Sequence, residues 1–192
     1  MFKNCLIVVG CSISLISASA FAENKAAKEE RNGYYAEAAY VLTDSKDTSS
    51  LDAGSWKPTL ARITFGKEVS ENWAVEGFIT QGINSDTLTY SGVDYKIKLN
   101  SGYGVAVRPF IKATDEIELY GRVGWLKYKQ TVTVDSVSYS SDNTFSVYMW
   151  SLGVAYKITD NISAVIDYSK LQQKEETSAD VSLTAIGLRY RF

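Results

Sequence analysis

From residue 33 onward, apolar and polar positions alternate with a period of two, in eight segments divided by polar breaks. That period puts successive side chains on opposite faces of a β-strand. The segments are 33–43, 59–69, 73–84, 96–111, 117–129, 144–157, 162–171 and 181–192. The last is the clearest: Ile186, Leu188, Tyr190 and Phe192 share one face, and Gly187, Arg189 and Arg191 the other. Segment 144–157 sets Tyr148, Trp150, Leu152, Val154 and Tyr156 against Met149, Ser151, Gly153, Ala155 and Lys157. In 96–111, Tyr103, Val105 and Val107 oppose Gly102, Gly104, Ala106 and Arg108; in 59–69, Ala61, Ile63 and Phe65 oppose Arg62, Thr64, Gly66 and Glu68. In 117–129, Leu119, Val123 and Trp125 oppose Glu118, Tyr120, Arg122 and Gly124. The first, third and seventh segments alternate less cleanly and put Glu37, Glu76 and Asp167 on the polar face.

The breaks sort by length. Three are tight, Val69-Ser70-Glu71-Asn72-Trp73, Ala113-Thr114-Asp115-Glu116-Ile117 and Ile158-Thr159-Asp160-Asn161-Ile162, and each contains the turn-forming Asp, Asn, Ser or Thr. Four are long, 44–58, 85–95, 130–143 and 172–180, rich in Ser, Thr, Asp and Lys, and the two kinds alternate along the chain. The hairpin motif returns about every 45 residues, with too few strands per period for a propeller blade. This layout predicts an all-β fold, an eight-stranded antiparallel transmembrane β-barrel of the outer-membrane type, with both termini on the tight-turn side.

Which face points out follows from the residue types. A soluble sandwich would bury the aromatic face and expose Gly and Ala, which pack nothing on a solvated strand. A barrel in lipid reverses this, with apolar residues outside and a narrow interior filled by side chains. Tyr34, Trp73, Tyr103, Trp125, Tyr148, Tyr156, Tyr168 and Tyr190 fall near strand ends, where interfacial aromatic girdles are expected.

Composition agrees: 13 Tyr, 4 Trp and 7 Phe against 2 Pro favour strands. The net charge of −2 gives no footprint for nucleic acid. Residues 1–22 read as a secretory signal peptide, with Lys3, an apolar stretch from Cys5 to Ile16 and an Ala20-Phe21-Ala22 cleavage site. The competing lipoprotein reading of Val8-Val9-Gly10-Cys11, which would lipidate Cys11, leaves too short an apolar run before the cysteine. Both cysteines, Cys5 and Cys11, lie within the signal, so no disulfide is expected in the exported chain. Residues 23–32 read as a charged, flexible periplasmic leader, and 33–192 as the barrel.

The final segment, Ala185-Ile186-Gly187-Leu188-Arg189-Tyr190-Arg191-Phe192, and the hairpin run Gly153 to Ile162 resemble small OmpA/OmpX-type outer-membrane barrels. The resemblance spans 33–192. It implies that Leu188, Tyr190 and Phe192 form a C-terminal signal for the barrel-assembly machinery.

Catalytic chemistry is thin. There is no histidine, and the barrel lipases, deacylases and omptin-like proteases use His as general base. No Cys or His zinc site, phosphate loop or EF-hand spacing is present; Asp44, Asp47 and Asp52 do not form one. No enzyme activity and no cofactor are expected. What remains is a lumen charge set: Glu37, Glu68, Glu76, Glu118 and Asp167 against Arg62, Arg108, Arg122, Arg189 and Arg191. Such charges must pair in a narrow interior. For Arg122 the pattern offers Glu118, Glu76 or Asp167 without choosing. The expected function is structural or surface-interacting, in adhesion or envelope integrity, with the lumen plugged by these pairs. The alternative is a narrow porin-like pore for ions or small solutes, gated by them. The expected partners are outer-membrane lipid, the assembly machinery and an extracellular ligand of unknown identity.

Overall fold

The computed structural model describes residues 33–47, 55–90, 93–134, 139–173 and 179–192. The expected signal peptide, 1–22, and leader, 23–32, lie outside the described residues. The described residues contain ten strands and no helix: β1 (Tyr34–Asp47), β2 (Ser55–Trp56), β3 (Thr59–Ser70), β4 (Trp73–Gly82), β5 (Ser85–Tyr90), β6 (Val93–Lys112), β7 (Ile117–Val134), β8 (Tyr139–Lys157), β9 (Ile162–Gln173) and β10 (Ala179–Arg191). Eight of them pair in the order β10-β9-β8-β7-β6-β4-β3-β1. β1 then pairs antiparallel with β10, from Tyr35↔Arg191 to Asp47↔Ala179, and closes the ring. Closure leaves none of the eight with an unpaired edge inside the wall, as a sheet in lipid requires.

Faces follow the sequence pattern. Phe65, Val123 and Leu152 point outward at 62%, 65% and 65% exposure, and Ile63, Val105, Ile186 and Leu188 also face out. The opposing residues are buried in the lumen, among them Arg62, Thr64, Ala106, Arg108, Ser151 and Ala155. Trp73, Tyr156, Tyr190 and Phe192 lie exposed near the tight-turn end; Tyr103, Tyr148 and Tyr168 lie toward the other. Trp125 is half-buried, edge-on to Tyr103 at 6.0 Å.

Two expectations change. The strands on the long side run well past the predicted ends: β6, β7 and β8 reach 20, 18 and 19 residues, and their ladders continue to Tyr95↔Val134 and Val134↔Tyr139. Much of 130–143 and 85–95 is therefore strand rather than loop. Beyond the lipid the outward face is polar and the alternation turns its apolar residues inward, Ile97 and Val134 being buried, so these extensions lack the lipid-facing apolar stripe of the wall. Their Thr131-Val132-Thr133-Val134 run still favours extended backbone. In 44–58 and 172–180 the described residues 44–47, 55–56, 172–173 and 179–180 are likewise strand.

The other change is at the end of the third predicted strand, 73–84, which closes two residues early and is followed by a further strand within the predicted break 85–95. β4 stops at Gly82, and β5 resumes at Ser85 along the same neighbour, β6. Opposite the gap, β6 shifts register against β7 between Leu99 and Gly102. Asn84 Oδ1 accepts from the Thr59 backbone N–H at 2.7 Å and its hydroxyl at 2.8 Å, which pins the break to the start of β3. Gly82 is required there, because a Cβ would overlap the Leu99 carbonyl.

In the tight turns the threonines make the local bonds. Thr114 Oγ1 accepts from Glu116 N (3.2 Å) and Ile117 N (2.9 Å), and Thr159 Oγ1 from Ile162 N (3.0 Å). The asparagines reach sideways instead. Asn72 donates to the Phe110 carbonyl at 3.1 Å and Asn161 to the Arg191 carbonyl at 2.9 Å, tying adjacent hairpins together at this rim.

Candidate functional site

The lumen has two layers. Nearer the tight turns lies charge; nearer the long hairpins lies an apolar cluster. Each charged side chain arrives by strand parity: Glu37 from β1, Arg62 and Glu68 from β3, Glu76 from β4, Arg108 from β6, Glu118 and Arg122 from β7, Asp167 from β9, Arg189 and Arg191 from β10.

These ten form one connected set. Arg62 donates to Glu37 at 3.1 Å and to Asp167 at 2.6 Å. Arg122 reaches Glu37 (2.9 Å), Glu76 (2.6 Å) and Asp167 (2.7 Å) together. Arg189 bridges Glu37 and Glu118, each at 2.9 Å. Arg108 pairs with Glu118 and lies 3.6 Å from Glu76. Arg191, at the rim, contacts Glu118 at 2.7 Å and Glu68 at 3.3 Å. Of the three partners open to Arg122 in the sequence, Glu76 and Asp167 are bonded to it. Glu118 serves Arg108, Arg189 and Arg191 instead, and Glu37 takes the remaining fork of Arg122.

Burial makes this pairing consequential. Arg108 and Arg189 are fully buried, Glu37 is 1% exposed, and a lone ion in such a site carries a large desolvation penalty. The planar guanidinium fork suits contacts to two or three carboxylates at once.

Two tyrosines complete the layer. Tyr35 donates to Glu76 at 2.6 Å and Tyr120 to Asp167 at 3.4 Å. The guanidinium of Arg108 lies 4.6 Å from the Tyr120 ring centre, and that of Arg189 lies 5.0 Å from both tyrosine rings. Such stacking holds a cation against an aromatic face. Tyr120 carries the inward parity in the sequence. Tyr35, next to the girdle residue Tyr34, shares the parity of Glu37 and Val41, which is the sequence signal for its inward placement.

Toward the hairpins the lumen becomes apolar. Val41, Leu60, Phe78, Leu126, Val147, Met149, Leu171, Val181 and Leu183 form one cluster, with the stacked pair Tyr128 and Phe145 (5.4 Å, 28°) against it.

The family described as outer membrane protein beta-barrel domain matches residues 11–192. No curated protein matches the chain. Among solved structures, the chain is similar to Neisserial surface protein A, with 18% identity and a TM-score of 0.62 over 83% of this chain and 97% of that one. It is similar also to Ail, the attachment invasion locus protein of Yersinia pestis, with 17% identity and a TM-score of 0.56 over 84% and 99% of the two chains. Ail in complex with the heparin analogue sucrose octasulfate gives 18% identity and a TM-score of 0.58, over 83% and 97%. At these identities the likeness is one of fold.

Proposed function

Since the chain belongs to the outer-membrane protein β-barrel domain family, we propose that it is a closed outer-membrane anchor presenting its long hairpins at the cell surface, in adhesion or envelope integrity. The observation that carries this reading is the asymmetry of the two ends. Four-residue turns at 113–116 and 158–161 close one end, while β6, β7 and β8 run 18 to 20 residues toward the other. A strand needs only about 9–11 residues to cross the bilayer. The surplus holds polar side chains such as Lys96, Lys98, Thr133 and Asp142 above the apolar band. Export by the signal peptide at 1–22, assembly through Leu188, Tyr190 and Phe192, and binding of an extracellular partner by the hairpins belong to the same proposal. Outer-membrane lipid surrounds the wall in it, and nucleic acid, cofactor and catalysis have no part.

The pore reading is disfavoured by the lumen: every charged side chain there has a partner of opposite sign, and the apolar cluster sits in series with them. Planar-bilayer recording of the refolded barrel tests the choice. The expected trace is flat. Reproducible unitary steps that change on substitution of Arg122 would put the pore first.

A further inference from the structure

We propose that the hairpin-side half of the lumen is a binding site for a small, uncharged, mostly apolar molecule that carries one hydrogen-bond acceptor. The layer holds a cavity of about 190 Å³, walled by Leu60, Phe78, Leu126, Met149, Leu171 and Leu183. Its size suits a single substituted ring: a purely apolar cavity of about 150 Å³ takes up benzene. Ser45, Thr80, Asn100, Ser101 and Gln130 also line it, so an apolar wall is combined with polar groups, as in small-molecule pockets generally.

Arg62 lines this cavity from the charge layer below and sets the ligand's polarity. Arg62 is 4% exposed, and its terminal nitrogens are committed to Glu37 and Asp167. Its Nε, also buried, finds no acceptor among the described residues. A buried donor left unbonded is costly, so an acceptor atom brought within reach of it is favoured. The same surroundings argue against a charged ligand. An anion would meet the Glu37 and Asp167 carboxylates that already flank Arg62, and a cation would meet Arg62 and Arg122. A carbonyl, ether or alcohol oxygen on an apolar body satisfies both constraints. The plug of ion pairs becomes the floor of a dead-end pocket, so the site is independent of what the hairpins bind.

The test uses the full barrel refolded in lipid nanodiscs, with methyl-labelled Met, Leu and Val observed by NMR. The probes are acetophenone, propylbenzene, which lacks the acceptor, and benzoate, which adds a charge. Acetophenone is expected to move Met149, Leu171 and Leu183 saturably, and to bind about tenfold more tightly than either control, the worth of one charge-assisted hydrogen bond. The lipid-facing Val105 and Val123 should shift only in proportion to added probe. Leu126→Trp should fill the cavity and abolish saturation. If that variant fails to fold, dissolved xenon on the unaltered chain takes its place and should shift the same inward methyls saturably. Equal, unsaturable responses of inward and outward methyls would overturn the site. Saturable binding that persists in folded Leu126→Trp would do the same, and equal affinity for acetophenone and propylbenzene would remove the role given to Arg62.

Discussion

Tyr120 lies across Gly153, its cross-strand partner on β8, in space that one added Cβ would occupy. Tyr35 lies across Gly66 on β3 in the same way. Each ring thereby stays flat against the wall with its face toward the guanidiniums and its hydroxyl on a carboxylate. Substituting either glycine should therefore disturb the charge layer rather than the lipid face. Gly153→Ala and Gly66→Ala should each cost about 1–3 kcal/mol, the usual penalty for overpacking. Urea unfolding from lipid vesicles measures it. The loss at Gly153 should shrink in a Tyr120→Ala background, and a Gly153→Ala barrel as stable as the parent would sink the account.

Removing one partner of a buried ion pair costs about 3–5 kcal/mol, because the other charge is left behind. Arg122→Ala should fall in that range. Combined with Glu37→Ala, Glu76→Ala or Asp167→Ala it should show coupling of about 0.5–3 kcal/mol in double-mutant cycles. Its coupling to Glu118, with which it makes no bond, should be the smallest of the four. Near-additive losses at all four positions would mean that water, not carboxylate, satisfies the arginine.

Orientation can be read with single cysteines, since beyond Cys11 the chain has none. On intact cells, a membrane-impermeant maleimide should label Ser140→Cys on the extended part of β8. It should leave Asp160→Cys, in a tight turn, unlabelled until the outer membrane is opened. The reverse pattern would invert the barrel.

Phe192 closes the final strand. Its N–H donates to the Tyr34 carbonyl at 3.0 Å, and its ring meets Tyr190 edge-on at 5.2 Å. Loss of one bond and one exposed ring should be mild for stability in detergent. Deleting Phe192 should instead slow assembly in cells severalfold, followed as heat-modifiable migration on unboiled gels. Undiminished assembly would dismiss the terminal strand as a signal.

Much of this was legible in the sequence because lipid imposes a parity. Residues such as Phe65 and Leu152 could only face outward, so Arg62 and Ser151 could only face inward. Which carboxylate meets which arginine was not legible. Arg122 and Glu37 stand on strands far apart in sequence, and parity gives a side without a height or a distance across the lumen. The lengths of β6 to β8 escaped for the opposite reason. Past the bilayer the apolar residues turn inward, as at Ile97 and Val134, so the lipid-facing parity that marks the rest of the wall no longer marks these stretches. The interruption at Gly82 and Asn84 depends on a backbone approach from β6 that no local pattern records.

The ring also has a history. Its neighbouring strands follow one another in the chain, except at one seam, where Glu37 and Arg189 bond across 152 positions. A sheet that holds every strand but β10 is still open, with its first edge bare and Glu37 short of a cation. No partial product is therefore a smaller barrel. The wall becomes a wall only when its last-made residues find its first, and the seam that completes it is also where it can be unfastened.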